Sequence, residues 1–558
     1  MGVIMPRVSS IVSFLLMGMI LLGSSSFSPL SSISSFASAQ ECPVLFSPTD
    51  VNPSQAYDYT SPDFKTLFTS INRMTDRYVT QHRIASHAVA IVHKNRLILT
   101  KGLSSTPFRI ASITKTFTAL GAFILREQGR LSIDDPVKKF LPSFSIINPY
   151  EGKGHDTTLR ELMGHAAGFP QQQCPFLTIC TDDETEILKQ ISRMQLISPP
   201  WSQFPAYSNL GIALLGRAWE KATVPRVSWE EFVVENILKP LGMSKSGVNV
   251  SDAVQLAPNG HPWALQDLGW NAPAAQMYST AEDLAKYMSF LLTAEPPLIS
   301  PNSIREWMSP ATIFPDGKGG YSFPWELQKL HEDSKGFLIT KGGSINGYNS
   351  HIDLDPSTQV GVVVLTVFEP GSSGSPDELA GNILKTLIPA VESINQKMIE
   401  DIYAGVYKCP ASKAFASPNW DFDIRVREGI INVSVSPTVG LLADVRIDVF
   451  NGDVPVTTAG TWALLLKNET ENSFWFGDGT SCNGIVGAVG AGPDLENPNA
   501  AGSSYANVVV FDTVEGSVQW PAVGAHCYRA ETQPSKPKPR ISYFYRSVFS
   551  FFVFFFAF

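Results

Sequence analysis

The sequence predicts an α+β fold built on antiparallel strands, with a mainly helical middle and a β-rich domain at the C-terminal end. Three observations carry that expectation. Short β-branched runs stand at both ends of the stretch from Ser86 to Val367: HAVAIVHKNRLILTKG at one end, and FLIT, YNSHIDLD and VGVVVLTVF at the other. Between them the apolar residues fall into helical spacing, in TLRELMGHAAG, GIALLGRAWEKA, SWEEFVVENILKPLGM and STAEDLAKYMSFLL. From about Tyr403 the chain changes to short alternating segments, FDIRVREG, IINVSVS, WALLLKN and VVVFDTV, broken by Gly, Asn and Pro.

At 558 residues and 44% hydrophobic, the chain can bury a large core and is long enough for more than one domain. The expected division is an export signal over 1–39, the main α+β domain over 40–400, the β-rich domain over 401–533 and an unassigned tail over 534–558. The signal is read from Arg7, the apolar run IVSFLLMGMILLG and the small-residue site Ala37-Ser38-Ala39 before Gln40. That run is shorter than the roughly 20 apolar residues a spanning helix needs, so cleavage is favoured over a signal anchor and secretion is expected. The closing run of the tail, FFVFFFAF, is shorter still, and no stable membrane span is expected. Lys and Arg number 42 against 51 Asp and Glu, a net charge of −9 spread along the chain, so no nucleic-acid partner is expected.

Six cysteines make an even count, which a secreted chain can use in disulfides, and Cys174 with Cys180 is the easiest local pair. Three sequons, beginning at Asn249, Asn432 and Asn468, fit a secretory route with glycosylation. His82, His87 and His93 match no zinc signature, and neither metal nor cofactor is expected.

In chain order, the first two β runs fold around Lys94-Asn95-Arg96 as a hairpin. A helix follows in ASITKTFTALGAFILREQG, with Ile113, Phe117, Leu120 and Ile124 on one stripe, Ser112 at its entrance and Gly129 at its end. The last three β runs are separated by Gly343 to Gly347 and by Asp355-Pro356-Ser357, which fits consecutive antiparallel strands. One more helix, DELAGNILKTLIPAVESINQKM, precedes the β-rich domain.

The chemistry begins with a repeat. RIAS occurs at Arg83 to Ser86 and again at Arg109 to Ser112, but only the second copy has a lysine, Lys115, three residues on. A serine hydroxyl becomes a nucleophile when a neighbouring base takes its proton, and a lysine serves if its pKa is lowered. Three residues apart on a helix puts both on one face. The spacing alone is weak, since Ser535 and Lys538 also match it and Ser112 can be read as a plain helix cap. Context comes from Tyr207-Ser208-Asn209 before an amphipathic helix, where a phenol can relay protons and an amide can bond lysine and substrate. Tyr505-Ala506-Asn507, in a β run with no helix behind it, is a decoy. Lys-x-Gly also occurs twice, at Lys318 in a turn and at Lys341 ending FLIT, and the strand-borne copy can offer a backbone N–H to an oxyanion.

In this order and spacing the three elements resemble the serine β-lactamase and penicillin-binding-protein family, in its class C, esterase and D-aminopeptidase-like branch. The resemblance covers about Ser86 to Val367 and includes LSIDDPVKKFLP, TLRELMGHAAGFP, ILKPLGM and YSTAEDLAKYM. It implies a β-lactamase/transpeptidase-like fold, an antiparallel sheet flanked by helices plus an all-helical region. It also implies Ser112 as acylated nucleophile, Lys115 and Tyr207 as shared general base, and Asn209 as the residue orienting Lys115 and substrate. Lys341 and Gly343 match the third motif, the N–H groups of Ser112 and Ser344 an oxyanion hole, and His165 a structural histidine. Gly342 stands where relatives usually carry Thr or another polar residue, and KGLSSTP is a shorter link than theirs. Beyond Tyr403 the chain resembles the C-terminal domain of secreted fungal β-lactamase-like proteins. The reading is a secreted serine hydrolase for a small ester, amide or peptide, by acyl transfer. The alternative is a catalytically silent protein of the same fold that binds or scaffolds. An α/β-hydrolase is disfavoured because the chain has no G-x-S-x-G elbow.

Overall fold

A computed structural model describes residues 57–403, except 151–154, 173–182, 203, 252–255, 259–264, 333, 335 and 346, together with the backbone of strands lying between 405 and 529. The expected signal, the tail, Cys174, Cys180 and Asn468 lie outside the described residues.

The chain enters on α1 (Pro62–Gln81), forms the hairpin β1 (Ser86–His93) and β2 (Arg96–Gly102), then a short strand β3 (Phe108–Arg109) and α2 (Thr114–Glu127). A helical region follows, with α3 (Leu159–Met163), α4 (Glu184–Ile191), α5 (Asn209–Glu220), α6 (Trp229–Val233) and α7 (Ala272–Ala275). Strand β4 (Tyr278–Ser279) pairs back on β3, and α8 (Ala281–Thr293) and α9 (Pro301–Met308) lead to the second group of strands. These are β5 (Thr312–Ile313), β6 (Gly319–Tyr321), β7 (Glu326–Gln328), β8 (Leu338–Ile345), β9 (Tyr348–Asp355) and β10 (Val360–Val367), before α10 (Pro376–Tyr403). The described strands beyond α10 run from Gly405–Pro410 to Ala525–Arg529.

The main sheet has the order β2-β1-β10-β9-β8-β7-β6-β5. Its neighbours are antiparallel, and the N-terminal hairpin joins the sheet by pairing β1 with β10, from Ser86 opposite Val367 to His93 opposite Val360. Both faces are buried, which follows from the pleat. Ala88, Ala90 and Val92 point into one core with Val363 and Leu365, while Val89 and Ile91 point into the other with Val362 and Val364. The second core is closed by α1 and α10, through Phe64, Leu67 and Ile71 against Leu379, Ile383 and Leu387. Helix α1 was not anticipated from the sequence. It has a Ser61 cap, Pro62 in its first turn and a buried stripe at Phe64, Leu67, Ile71, Thr75 and Tyr78.

On the other face α2 is buried from Thr114 through Leu125, not along one stripe only. Helix α5 packs on it closely enough that a Cβ at Gly121 would stand 2.9 Å from the Trp219 ring. The polar side chains this encloses are satisfied locally, Thr116 by Ile113 O at 2.8 Å and Thr118 by Pro273 O at 2.7 Å. Each fully buried Phe, Leu or Ile on such a helix contributes roughly 1.5–3 kcal/mol, so α2 is a rigid base for whatever sits at its entrance.

Candidate active site

The turn that carries Ser112 is fixed from both sides. Ile110 N–H bonds Met277 O at 3.0 Å, and the buried Ile110 and Ile113 anchor it to the core. Ala111 takes a left-handed φ of 45°, a strained conformation for alanine that persists only where packing imposes it. Ser112 lies in a 3-10 turn, Ala111–Ile113, ahead of α2, and neither the turn nor α2 has a side-chain cap. The reading of Ser112 as a helix cap is therefore corrected. Its Oγ instead receives hydrogen bonds from Lys115 Nζ at 2.8 Å and from the Tyr207 hydroxyl at 2.9 Å. Ser86, in the first RIAS, donates to Pro258 O from strand β1.

Lys115 is fully buried, and its second bond goes to Ala274 O at 2.8 Å. That carbonyl occupies the acceptor position expected of Asn209, which lines the same cleft at the start of α5. Burial lowers the Lys115 pKa, Tyr207 opposes that, and Lys341 adds to it. Tyr207 is held by the loop entering α5, where Ser208 caps the helix through Gly211 N–H at 2.8 Å. His165 supports it from behind: its ring packs on Tyr207 with centroids 4.5 Å apart, and its Nδ1 accepts from Ser208 N–H at 3.2 Å. Burial, then Lys115 and Lys341, keep the His165 pKa well below the usual imidazole value, so this histidine is neutral. Burial pushes the Tyr207 phenol up, but Lys115, Lys341 and the hydrogen bonds with Ser112 and Lys115 outweigh it and bring the phenol to about 8.

Lys341, on β8, is buried with its Nζ 5.3 Å from the Tyr207 ring centre and 2.6 Å from Glu326 Oε1. Burial favours its neutral form, but Glu326, and after it Tyr207, raise its pKa, so Lys341 is charged. The Glu326 carboxyl is correspondingly pushed up by burial and, more strongly, held down by Lys341 and the Gly342 N–H. Lys318 stands exposed in its turn and pairs with Glu332, away from this cluster. The reason for glycine at 343 is the close approach of β8 to the turn before α2. A Cβ there would stand 2.4 Å from Ile110 O and 2.8 Å from Ser112 N. Beyond Thr340, β8 has no strand on its β7 side among the described residues, and its free edge with Ser344 borders a cleft of about 620 Å³. Ser112, Tyr207, Asn209, Lys341, Gly343 and Ser344 all line that cleft.

Elsewhere, Asn249 is exposed, Asn432 belongs to the strand Ile430–Ser436, and the decoy Tyr505-Ala506-Asn507 lies outside the described residues. No group of His, Cys, Asp and Glu among the described residues is arranged to hold a metal ion, and no described helix is long and apolar enough to cross a membrane. Two partners of the buried lysines have no signal in the sequence, the Ala274 carbonyl beside Lys115 and Glu326 beside Lys341. A backbone acceptor leaves no residue signature, and Glu326 in PWELQ pairs with a lysine only because β7 lies beside β8.

The arrangement can deprotonate a serine and place it against a strand edge. Residues 71–382 match the family described as Beta-lactamase. Beta-lactamase-like protein 2 of Dictyostelium discoideum is 31% identical over 382 residues, which cover 63% of this chain and 67% of that protein. Beta-lactamase-like protein 4 of the same organism is 30% identical over 320 residues, 53% of this chain and 55% of the relative. Among solved structures, EstCE1, a hydrolase with promiscuous acyltransferase activity, superposes with a TM-score of 0.50 at 20% identity, over 57% of this chain and 98% of its own, a likeness of fold. The chain belongs to the beta-lactamase family, and its main domain has the α+β fold of that family, with a serine-hydrolase-like architecture.

Proposed function

We propose that the protein is a secreted serine hydrolase that forms an acyl-enzyme on Ser112 and passes the acyl group to water, with small esters, amides or peptides as substrates. The observation that carries this reading is the convergence of Lys115 Nζ and the Tyr207 hydroxyl on Ser112 Oγ at 2.8 and 2.9 Å. A lysine whose pKa is lowered by burial is a readier acceptor for the serine proton, and a phenol drawn down to about 8 by the neighbouring lysines can share it. On attack, the Ser112 oxygen bonds the acyl carbon, its proton passes to this pair, and the N–H groups of Ser112 and Ser344 receive the oxyanion. The proton then returns to the leaving group, and water reverses the sequence. Asn209 is proposed to position substrate at the cleft wall, while Lys341 with Glu326 sets the field at Tyr207.

Secretion rests on the N-terminal signal pattern, the even cysteine count and the sequons, of which Asn249 is exposed. The β-rich region beyond α10 is proposed to be an appendage, as its resemblance to the C-terminal domain of secreted fungal β-lactamase-like proteins implies. The acyl-transfer reading is tested with a fluorophosphonate and p-nitrophenyl acetate. Peptide mapping is expected to find the label on Ser112 and not on Ser86, with ester turnover. An unlabelled Ser112 with no turnover of any ester or of nitrocefin would favour a silent binding or scaffold protein.

A further inference from the structure

The cleft wall formed by β7, β8, β9 and the start of α10 carries polar groups that the acyl-transfer chemistry does not use. His351, on β9, is only 5% exposed, and its Nε2 lies 2.8 Å from Asp353 Oδ1. The carboxylate keeps a hydrogen on Nε2 and leaves Nδ1 on the other side of the ring, where no described residue bonds it. Nδ1 faces the space over Gly342. A Cβ on residue 342 would stand 3.4 Å from Nδ1 and 3.9 Å from Glu326 Oε2, so the notch exists because this position has no side chain. Asp377, exposed in the first turn of α10, lines the same cleft.

The charge of this wall is negative. Among the described lining residues Lys341 is the one lysine or arginine, and Glu326 neutralises it at 2.6 Å. The exposed Asp377 remains, while Asp353 lies buried behind His351 and is bonded to it. His351 registers the same field: burial disfavours its charged form, yet Asp353 first, and then Asp377 and Glu326, hold its pKa above the usual imidazole value. A substrate carboxylate would meet uncompensated negative charge here, whereas a cation would be drawn in. With neutral His351 the notch presents two acceptors, Nδ1 and Glu326 Oε2. A bound ammonium and a proton on Nδ1 are alternative occupants of one site.

We infer that the notch over Gly342 is a subsite for a primary ammonium group of the substrate, received by His351 Nδ1 and Glu326 Oε2 with Asp377 at the rim. This rests on the reading of the cleft as an acyl-transfer site and narrows its substrates to amine-bearing esters, amides or peptides lying along the free edge of β8.

The test is a binding measurement that needs no turnover. The full-length Ser112→Ala protein is titrated calorimetrically with the p-nitroanilides of alanine, β-alanine and 4-aminobutyrate, and with the N-acetyl form of each. The free amine of at least one pair is expected to bind about tenfold or more tightly than its acetylated form, and Gly342→Val, which fills the notch, to remove the difference. Equal affinities in every pair, or a preference that survives Gly342→Val, overturn the inference. Should Gly342→Val fail to fold by circular dichroism, Asp377→Asn at its exposed position is expected to shrink the preference by about two- to threefold, and an unchanged preference overturns it. Turnover of p-nitrophenyl acetate by the wild-type protein reports on Ser112 separately, so the failure of either reading is visible by itself.

Discussion

Replacing Lys115 by Met separates chemistry from packing. The side chain is fully buried, and methionine keeps most of its volume while removing the nitrogen that bonds Ser112 Oγ and Ala274 O. Loss of a positioned general base costs about 10²–10⁴-fold in rate, and fluorophosphonate labelling of Ser112 is expected to fall by that order. The stability effect has a definite sign with pH. The Ala274 carbonyl loses its donor, a cost of about 1–3 kcal/mol at any pH. Against this, burial lowers the lysine's folded pKa below its unfolded value of about 10.4. Between those two values the unfolded chain binds more protons than the folded one, so wild-type stability rises with pH, and the methionine variant lacks this slope. Tyr207, lowered to about 8 partly by Lys115, adds to the wild-type slope in the same direction. The variant is therefore expected to be less stable near pH 10 by about 1–3 kcal/mol and to close that gap as pH falls toward 6. Denaturant melts of both proteins at pH 6, 8 and 10, beside labelling rates, check this. A gap constant across pH, or labelling within a few-fold of wild type, would refute a lowered pKa and a base role for this buried amine.

Tyr207→Phe is expected to remove a limb of the pH–rate profile: wild-type ester hydrolysis should climb as pH rises through about 8, where the phenol loses its proton, and the variant should not. An unchanged profile would assign the limb elsewhere. Lys341→Ala should cut kcat/KM by about 10²-fold through the lost field at Tyr207 and an unpaired Glu326, while Lys318→Ala, in its exposed turn, should stay near wild type. Equal losses would remove any special role for Lys341. Gly343→Ala places a Cβ 2.4 Å from Ile110 O, so β8 or the Ser112 turn must move, and a displacement near 1 Å costs about 10²-fold in labelling rate. Wild-type labelling in that variant would show the turn to be adaptable.

Local pattern determined a large part of this protein. The hairpin around Lys94, the long last strands and the helices that became α3, α5 and α8 are read from spacing and caps. Their signals lie within a few residues, as in the reciprocal Thr158 and Glu161 cap of α3. The pairing of Ser112 with Lys115 is also local, since three residues place both on one face. What the tertiary structure decided are the contacts between segments far apart in the chain. That β1 pairs with β10 depends on which faces of the sheet α1, α2 and α10 cover. That Ser112 is no cap depends on Ala111 being forced left-handed against β8, and the need for glycine at 343 is visible only from the other side of that contact. The charge of the site is the furthest from the sequence. Both lysines are buried, yet the pKa of Lys341 is raised and that of Lys115 lowered, because a carboxylate on a neighbouring strand reaches one and a backbone carbonyl the other. A buried group takes its charge from the partner that the fold brings to it.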